Sequence, residues 1–209
     1  KEPDGFKGAQ ESGKHKPSSF ATLDYYSKTP MQFTDKKGEV YYVKYRVIPA
    51  KEPVEIAAIP EDQKKKVYNQ RVQEDEELTV NYLVDEYKDR VAHGPVEYNL
   101  QLQLQKSTTD PDEKIFDSRV IWDEDKFPWK DLADIEVNEL LPYEETVKLG
   151  YNLNNHPKSL GFIKARSIHD YNSVVYMRSK TKIAYLRRLF SYALFGLPKE
   201  VPDTAPRNE

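Results

Sequence analysis

The chain has 209 residues, of which 32% are charged, with a formal net charge of −3 and no cysteine. That length can bury one substantial core and fits one domain with tails, while scattered, balanced charge gives no pull toward nucleic acid or a membrane surface. Without cysteine there is no disulfide framework, thiolate metal site or cysteine nucleophile; no apolar run reaches the ~20 residues of a membrane span, so a soluble chain of no particular compartment is expected.

Residues 1–19 are rich in Lys, Gly, Ser and Pro and lack apolar periodicity, which reads as an extended arm; residues 198–209 read as a flexible tail of the same character. Between them, residues 20–197 form the structured part. A turn at Asp35-Lys-Lys-Gly38 precedes a β-branched and aromatic strand, Val40 to Ile48, stopped by Pro49. Glu74 to Ala92 predicts a helix, with Leu78, Tyr82, Leu83, Tyr87 and Val91 near helical spacing and Gly94-Pro95 closing it. In Val96 to Gln105, Val96, Tyr98, Leu100, Leu102 and Leu104 alternate with polar residues, predicting a strand with one face in a core and one facing water or a polar partner. Further strands are expected at Lys114 to Trp122 and Leu132 to Val137, and a last helix at Thr181 to Phe195. The sum is an α+β chain of long antiparallel strands with helices gathered at the C-terminal end.

The chemistry-bearing stretch is Gly150 to Arg178, where an Asn- and Pro-rich loop runs into a helix-like segment carrying Tyr171 with Arg166 and Arg178 on either side. An arginine beside a phenol favours the phenolate, which can hold haem iron from one face. Arg178 lies seven residues after Tyr171, about two helical turns on, and so shares its face. Tyr176 points the other way on a helix and is a weaker candidate. His15, His93, His156 and His169 are scattered without two-His-plus-carboxylate spacing. Neither a Gly-x-Ser-x-Gly elbow nor a phosphate-cradling glycine loop is present.

An ordered set of segments resembles the second half of the barrel in small catalase-related haem proteins. Tyr25-Tyr-Ser-Lys-Thr-Pro-Met31 is similar to that family's Tyr-Ser-x-Thr-Pro segment, and Val43-Lys-Tyr-Arg-Val-Ile-Pro49 to its Val-Lys-Tyr-x-x-x-Pro strand. Gly94 to Gln105, Asp117 to Trp122 and Trp129 to Val137 follow in the family's order. Last come Tyr151-Asn152, His156-Pro157 and Leu160-Gly161, leading to Arg166 and Tyr171, so that the likeness spans residues 20–180. It implies an antiparallel β-barrel or part-barrel of the catalase-like type, with haem held by Tyr171 as metal ligand and by Arg166 or Arg178.

Two departures stand out. The family places Arg four residues before its ligand Tyr, whereas here position 167 is Ser and Arg166 is five residues back. The family's distal histidine and asparagine precede the Tyr-Ser-x-Thr-Pro segment, where this chain offers only His15 in a polar stretch; no catalytic residue is assigned. A barrel lacking its first strands leaves unpaired edges, so a second chain, such as the other half of a cleaved precursor, or a homodimer is expected to complete it. Arg188-Leu-Phe-Ser-Tyr192 resembles the Arg-x-Phe-x-Tyr ligand motif of full-length catalases. It lies one helix beyond the ordered match and continues as Ala193-Leu-Phe-Gly, unlike the large catalases, so it reads first as an amphipathic helix packing on the barrel or a partner. The function implied is catalase-like oxidoreductase chemistry on hydrogen peroxide or a lipid hydroperoxide. The alternative is a non-enzymatic carrier of a tetrapyrrole, carotenoid or lipid on the same fold.

Overall fold

A computed structural model of the chain describes residues 13–27, 29–62, 78–79, 81–106, 114–117, 120–150, 155–163, 165, 170–172 and 181–198. Its centre is the long antiparallel pair β3 (Val40–Pro49) and β4 (Val96–Lys106), in register from Tyr41 opposite Lys106 to Pro49 opposite Tyr98. Both strands have the alternation that suits a pleated ladder. A short hairpin joins β2 (Met31–Thr34) to β3: Asp35 Oδ1 accepts from the backbone N–H of Lys37 and of Glu39, and Gly38 takes φ +82°. That left-handed conformation is what glycine supplies without strain.

Outside these lie β5 (Lys130–Val137) beside β4 and β6 (Leu160–Phe162) beside β2, giving the order β5-β4-β3-β2-β6 with the two-residue β1 (Tyr25–Tyr26) on the far end of β3. Every described pairing is antiparallel, and the sheet does not close into a barrel among the described residues. Among the described residues three α-helices accompany it: α1 (Tyr82–His93), α2 (Tyr143–Thr146) and α3 (Thr181–Phe195). This is the expected α+β, part-barrel architecture, and α3 has the expected bounds.

The predicted 74–92 helix differs at its start. Residues 63–77 lie outside the described residues, but Leu78 and Thr79 are not helical and α1 begins only at Tyr82. The reason is local, since Thr79 and Asn81 compete with helical hydrogen bonds and Val80 is β-branched. No strand occupies the described part of 114–122: Lys114–Phe116 is a single 3-10 turn and 120–122 is irregular. Side chains serve the backbone there, with Lys44 Nζ donating to Val120 O at 2.9 Å and Trp122 Nε1 donating to Ile115 O at 3.4 Å.

Each face of the sheet has its own cover. On the apolar face, α1 and the 3-10 turn Phe20–Thr22 cover Val96 and Tyr98, with Ala21, Val91, Val47, Ile135 and Val137 packed around them. Beyond that cover Val43 is buried, while Tyr45, Leu100, Leu102 and Leu104 around it are half-buried. On the opposite face Ile115, Phe116, Trp122 and Phe127 cover Tyr42, Lys44 and Gln103. Gln103, expected toward water or a polar partner, is 2% exposed and donates through Nε2 to Phe127 O at 2.7 Å. The alternation of β4 therefore does not sort core from solvent along its whole length.

Candidate functional site

Tyr171 sits in a turn, Asp170 to Asn172, and is 43% exposed. The turn is pinned to the sheet by its neighbour: Asn172 is buried and its Nδ2 donates to Ile163 O at 2.6 Å. Ile163 in turn packs on the cluster of Tyr42, Phe116 and Trp122. Arg166 and Arg178, with Tyr176 and His169, lie outside the described residues. The three residues read from sequence as one site are thus represented by Tyr171 alone.

The second phenol–guanidinium pair stands on α3. Arg188 and Tyr192 are four residues apart in one unbroken helix, so their side chains share a face. Tyr192 is half-buried, and Arg188 donates from Nη2 to Leu149 O at 2.9 Å, one of the five N–H donors a guanidinium carries. One turn earlier on that face, the ring of Tyr185 rests on Gly150, its hydroxyl 3.3 Å from Lys148 O and its centroid 5.4 Å from Arg188 Cζ. The 188–192 spacing was legible in the sequence; the seat of Tyr185 on Gly150 carried no sequence signal, because a lone glycine and a lone tyrosine 35 positions apart form no motif.

Elsewhere the polar groups serve the fold. Glu55 accepts from Ser18 N and Oγ and from Thr22 Oγ1, and these bonds hold its carboxyl below the usual range. Buried Ser19 donates to Glu86, and Arg90 pairs with Glu86 at 2.7 Å and with Glu52. Tyr98 donates to Tyr87 at 3.0 Å, and burial pushes its phenol well above the usual value. His15, His93 and His156 stay apart: His15 donates its backbone N–H to Ala57 O, His93 Nδ1 lies 2.7 Å from Asp89 O, and His156 packs edge-on against Phe162. Among the described residues no three His, Asp or Glu side chains gather as a metal site, and no helix is long and apolar enough to cross a membrane.

Comparison with known proteins fixes the class. No protein-family model matches the chain. It is 34% identical over 195 residues to the allene oxide synthase-lipoxygenase protein of Plexaura homomalla, covering 90% of this chain and 18% of that protein. It is 26% identical over 174 residues to a linolenate 9R-lipoxygenase of a Nostoc species, covering 79% of this chain and 21% of that one. Among solved structures, a fungal catalase superposes with a TM-score of 0.62 at 17% identity, over 92% of this chain and 37% of the catalase. A bacterial catalase gives 0.63 at 12% identity, over 92% and 36%. The chain is catalase-like. It belongs to the same family as the protein y4iK of Sinorhizobium fredii, to which it is 30% identical over 165 residues, or 77% of this chain and 71% of that protein.

Proposed function

We propose that the chain forms the tyrosine-bearing side of a catalase-related haem protein acting on hydrogen peroxide or a lipid hydroperoxide. The observation that carries this reading is the Arg188–Tyr192 pair, a phenol and a guanidinium one turn apart on a continuous helix. The names of two relatives, with linolenate and allene oxide in them, favour the lipid hydroperoxide.

The donor set fits haem. A phenolate is a hard anionic ligand suited to ferric iron, and the half-buried Tyr45, Leu100, Leu102 and Leu104 offer an apolar surface of the kind a porphyrin needs. Tyr192 would hold the iron through its phenolate oxygen. Arg188, which spends one donor on Leu149 O, keeps others to favour the charged phenol. Bound haem supplies the redox chemistry, and the chain sets its ligand, charge and exclusion of water. The open sheet, with β5 and β6 at its edges, favours a second chain or a second copy that completes the barrel and brings the distal acid–base group.

Tyr171, backed by Arg166 or Arg178, is the alternative ligand, and its exposed position in a turn is why Tyr192 is preferred. The half-buried apolar face also favours a second function, a non-enzymatic carrier of another tetrapyrrole, a carotenoid or a lipid. The test is titration with haemin, followed by absorption, for wild type, Tyr192→Phe and Tyr171→Phe. A haem spectrum altered by Tyr192→Phe and not by Tyr171→Phe is the expected result. The reverse moves the ligand to Tyr171. Failure of the wild type to take up haemin, with uptake of a carotenoid or fatty acid, replaces the enzyme by the carrier.

A further inference from the structure

The helix that carries Tyr192 is held through a contact that a Cβ at position 150 would push aside. A Cβ at position 150 would stand 2.7 Å from Tyr185 Cε1 and closer still to Cζ and Cε2, nearer than side-chain carbons approach without movement. The missing Cβ lets the ring lie flush on the backbone, where its hydroxyl reaches Lys148 O. Arg188, three residues on, reaches the next carbonyl, Leu149 O. Both acceptors follow α2, whose last turn holds this backbone by Lys148 N donating to Glu145 O and Leu149 N donating to Thr146 O. Among the described residues, these are the side-chain hydrogen bonds from α3 to the rest of the chain. Leu186, Phe190, Leu194 and Phe195 of the same helix are exposed.

We propose that Gly150 and Tyr185 are positioning residues for Tyr192, forming with Arg188 a clamp that sets where the phenol of α3 stands; this rests on the reading of Tyr192 as the ligand phenol. Positions 185, 188 and 192 follow the three- and four-residue intervals of one helix face. Tyr192 lies about 10 Å along the axis from Tyr185. A helix transmits a tilt at its clamp along its length, so a displaced Tyr185 displaces the phenol two turns away. Tyr185 touches neither the iron nor the substrate in this scheme; it acts through the helix.

The experiment compares wild type, Gly150→Ala, Tyr185→Ala, Tyr185→Phe and the Gly150→Ala/Tyr185→Ala double variant. Amide hydrogen exchange of α3 in the ligand-free chain is read against that of β3 and β4. Gly150→Ala and Tyr185→Ala should each speed exchange in α3 by roughly tenfold or more while β3 and β4 stay as in wild type. Tyr185→Phe, which keeps the ring in its seat, should remain within a few-fold of wild type. The double variant should exchange no faster than Tyr185→Ala, because the added Cβ then meets no ring. Unchanged exchange in Gly150→Ala, or effects that multiply in the double variant, would overturn the clamp.

Haemin titration of the same set reads the positioning role. Gly150→Ala should weaken the spectral change that Tyr192→Phe abolishes, and Tyr185→Phe should preserve it. A Gly150→Ala protein with a loosened α3 but a wild-type haemin titration overturns positioning while leaving Tyr192 as ligand. If Tyr192→Phe itself leaves the haemin spectrum unaltered, the ligand reading falls and the positioning role with it.

Discussion

Replacing Lys44 with methionine should remove a rise in stability that the wild type gains between about pH 7 and about pH 9.5. Lys44 is 9% exposed on the covered end of the polar face, its Nζ 2.9 Å from Val120 O and 4.8 Å from the centroid of Trp122. Burial pushes its ammonium down to about 8 from 10.5, with the charge of Asp117 offsetting part of the effect. Below both values the lysine is protonated folded and unfolded, so the folded state bears the full cost of a buried cation. As pH rises past about 8 the folded chain releases the proton and the unfolded chain keeps it, and stability increases. Linkage between values of about 8 and 10.5 gives a gain of about 2 kcal/mol by pH 9.5. Methionine is close in length and loses the bond to Val120 O, a cost of about 1–3 kcal/mol that is the same at both pH values and cancels in the comparison. The upper pH is chosen because Tyr25, raised to about 12 by burial, and Tyr98, raised further, act with the opposite sign above pH ~10. Urea unfolding of both proteins at the two pH values measures the difference. Equal pH dependence, within about 0.5 kcal/mol, would refute the reasoning, since Lys44 would then be hydrated in the folded chain.

Two further outcomes follow from the packing. Phe116→Ala should cost about 3–5 kcal/mol in urea unfolding, because Phe116 is 2% exposed and meets Tyr42 edge-on at 4.9 Å with Trp122 beside it; a cost below about 1.5 kcal/mol would mean that Ile115 to Trp122 is not seated on the sheet. Glu55→Gln should lower the melting temperature near pH 6 and converge on the wild type in acid. Hydrogen bonds hold the Glu55 carboxyl below its usual 4.5, so its contribution is present above that value and lost as pH falls through the depressed one; a constant difference across that range would contradict it.

What the sequence revealed followed from periodicity. β3, β4 and α3 were legible because ten or more residues repeat with a period of two or of 3.6. β2 and β6 were not, since four residues after Pro30 and a Leu-Gly-Phe within a loop are too short to show a period; their identity comes from pairing, Met31 opposite both Val43 and Phe162. The segment from Ile115 to Trp122 has strand composition, but its described residues make a turn and a plug, because Lys44 and Trp122 satisfy their backbone where a ladder would have. For the site, Arg188 and Tyr192 at helical spacing were readable as a pair. The ordered match pointed to Tyr171 in a helix-like segment, and the structure places that tyrosine in a turn, a difference that sequence order does not reveal.

The uneven burial of the two sheet faces bears on the function. Lys44 and Gln103 are enclosed at the cost of desolvating an ammonium and an amide, while Tyr45, Leu100, Leu102 and Leu104 on the opposite face remain half-buried. Each of these leucines is largely out of water and forgoes at most roughly 1 kcal/mol of the ~1.5–3 kcal/mol that full burial yields. The apolar side is covered too, at Val43, Val96 and Tyr98, so the proposed site has two halves to test: the phenol on α3 and the strip of Tyr45, Leu100, Leu102 and Leu104. The exchange and haemin measurements on Gly150 and Tyr192 test the helix half. For the sheet half, Leu102→Gln, with its side chain on the apolar face, should weaken haemin uptake while leaving the α3 exchange pattern unaltered; undiminished uptake would put the ligand somewhere other than on this face.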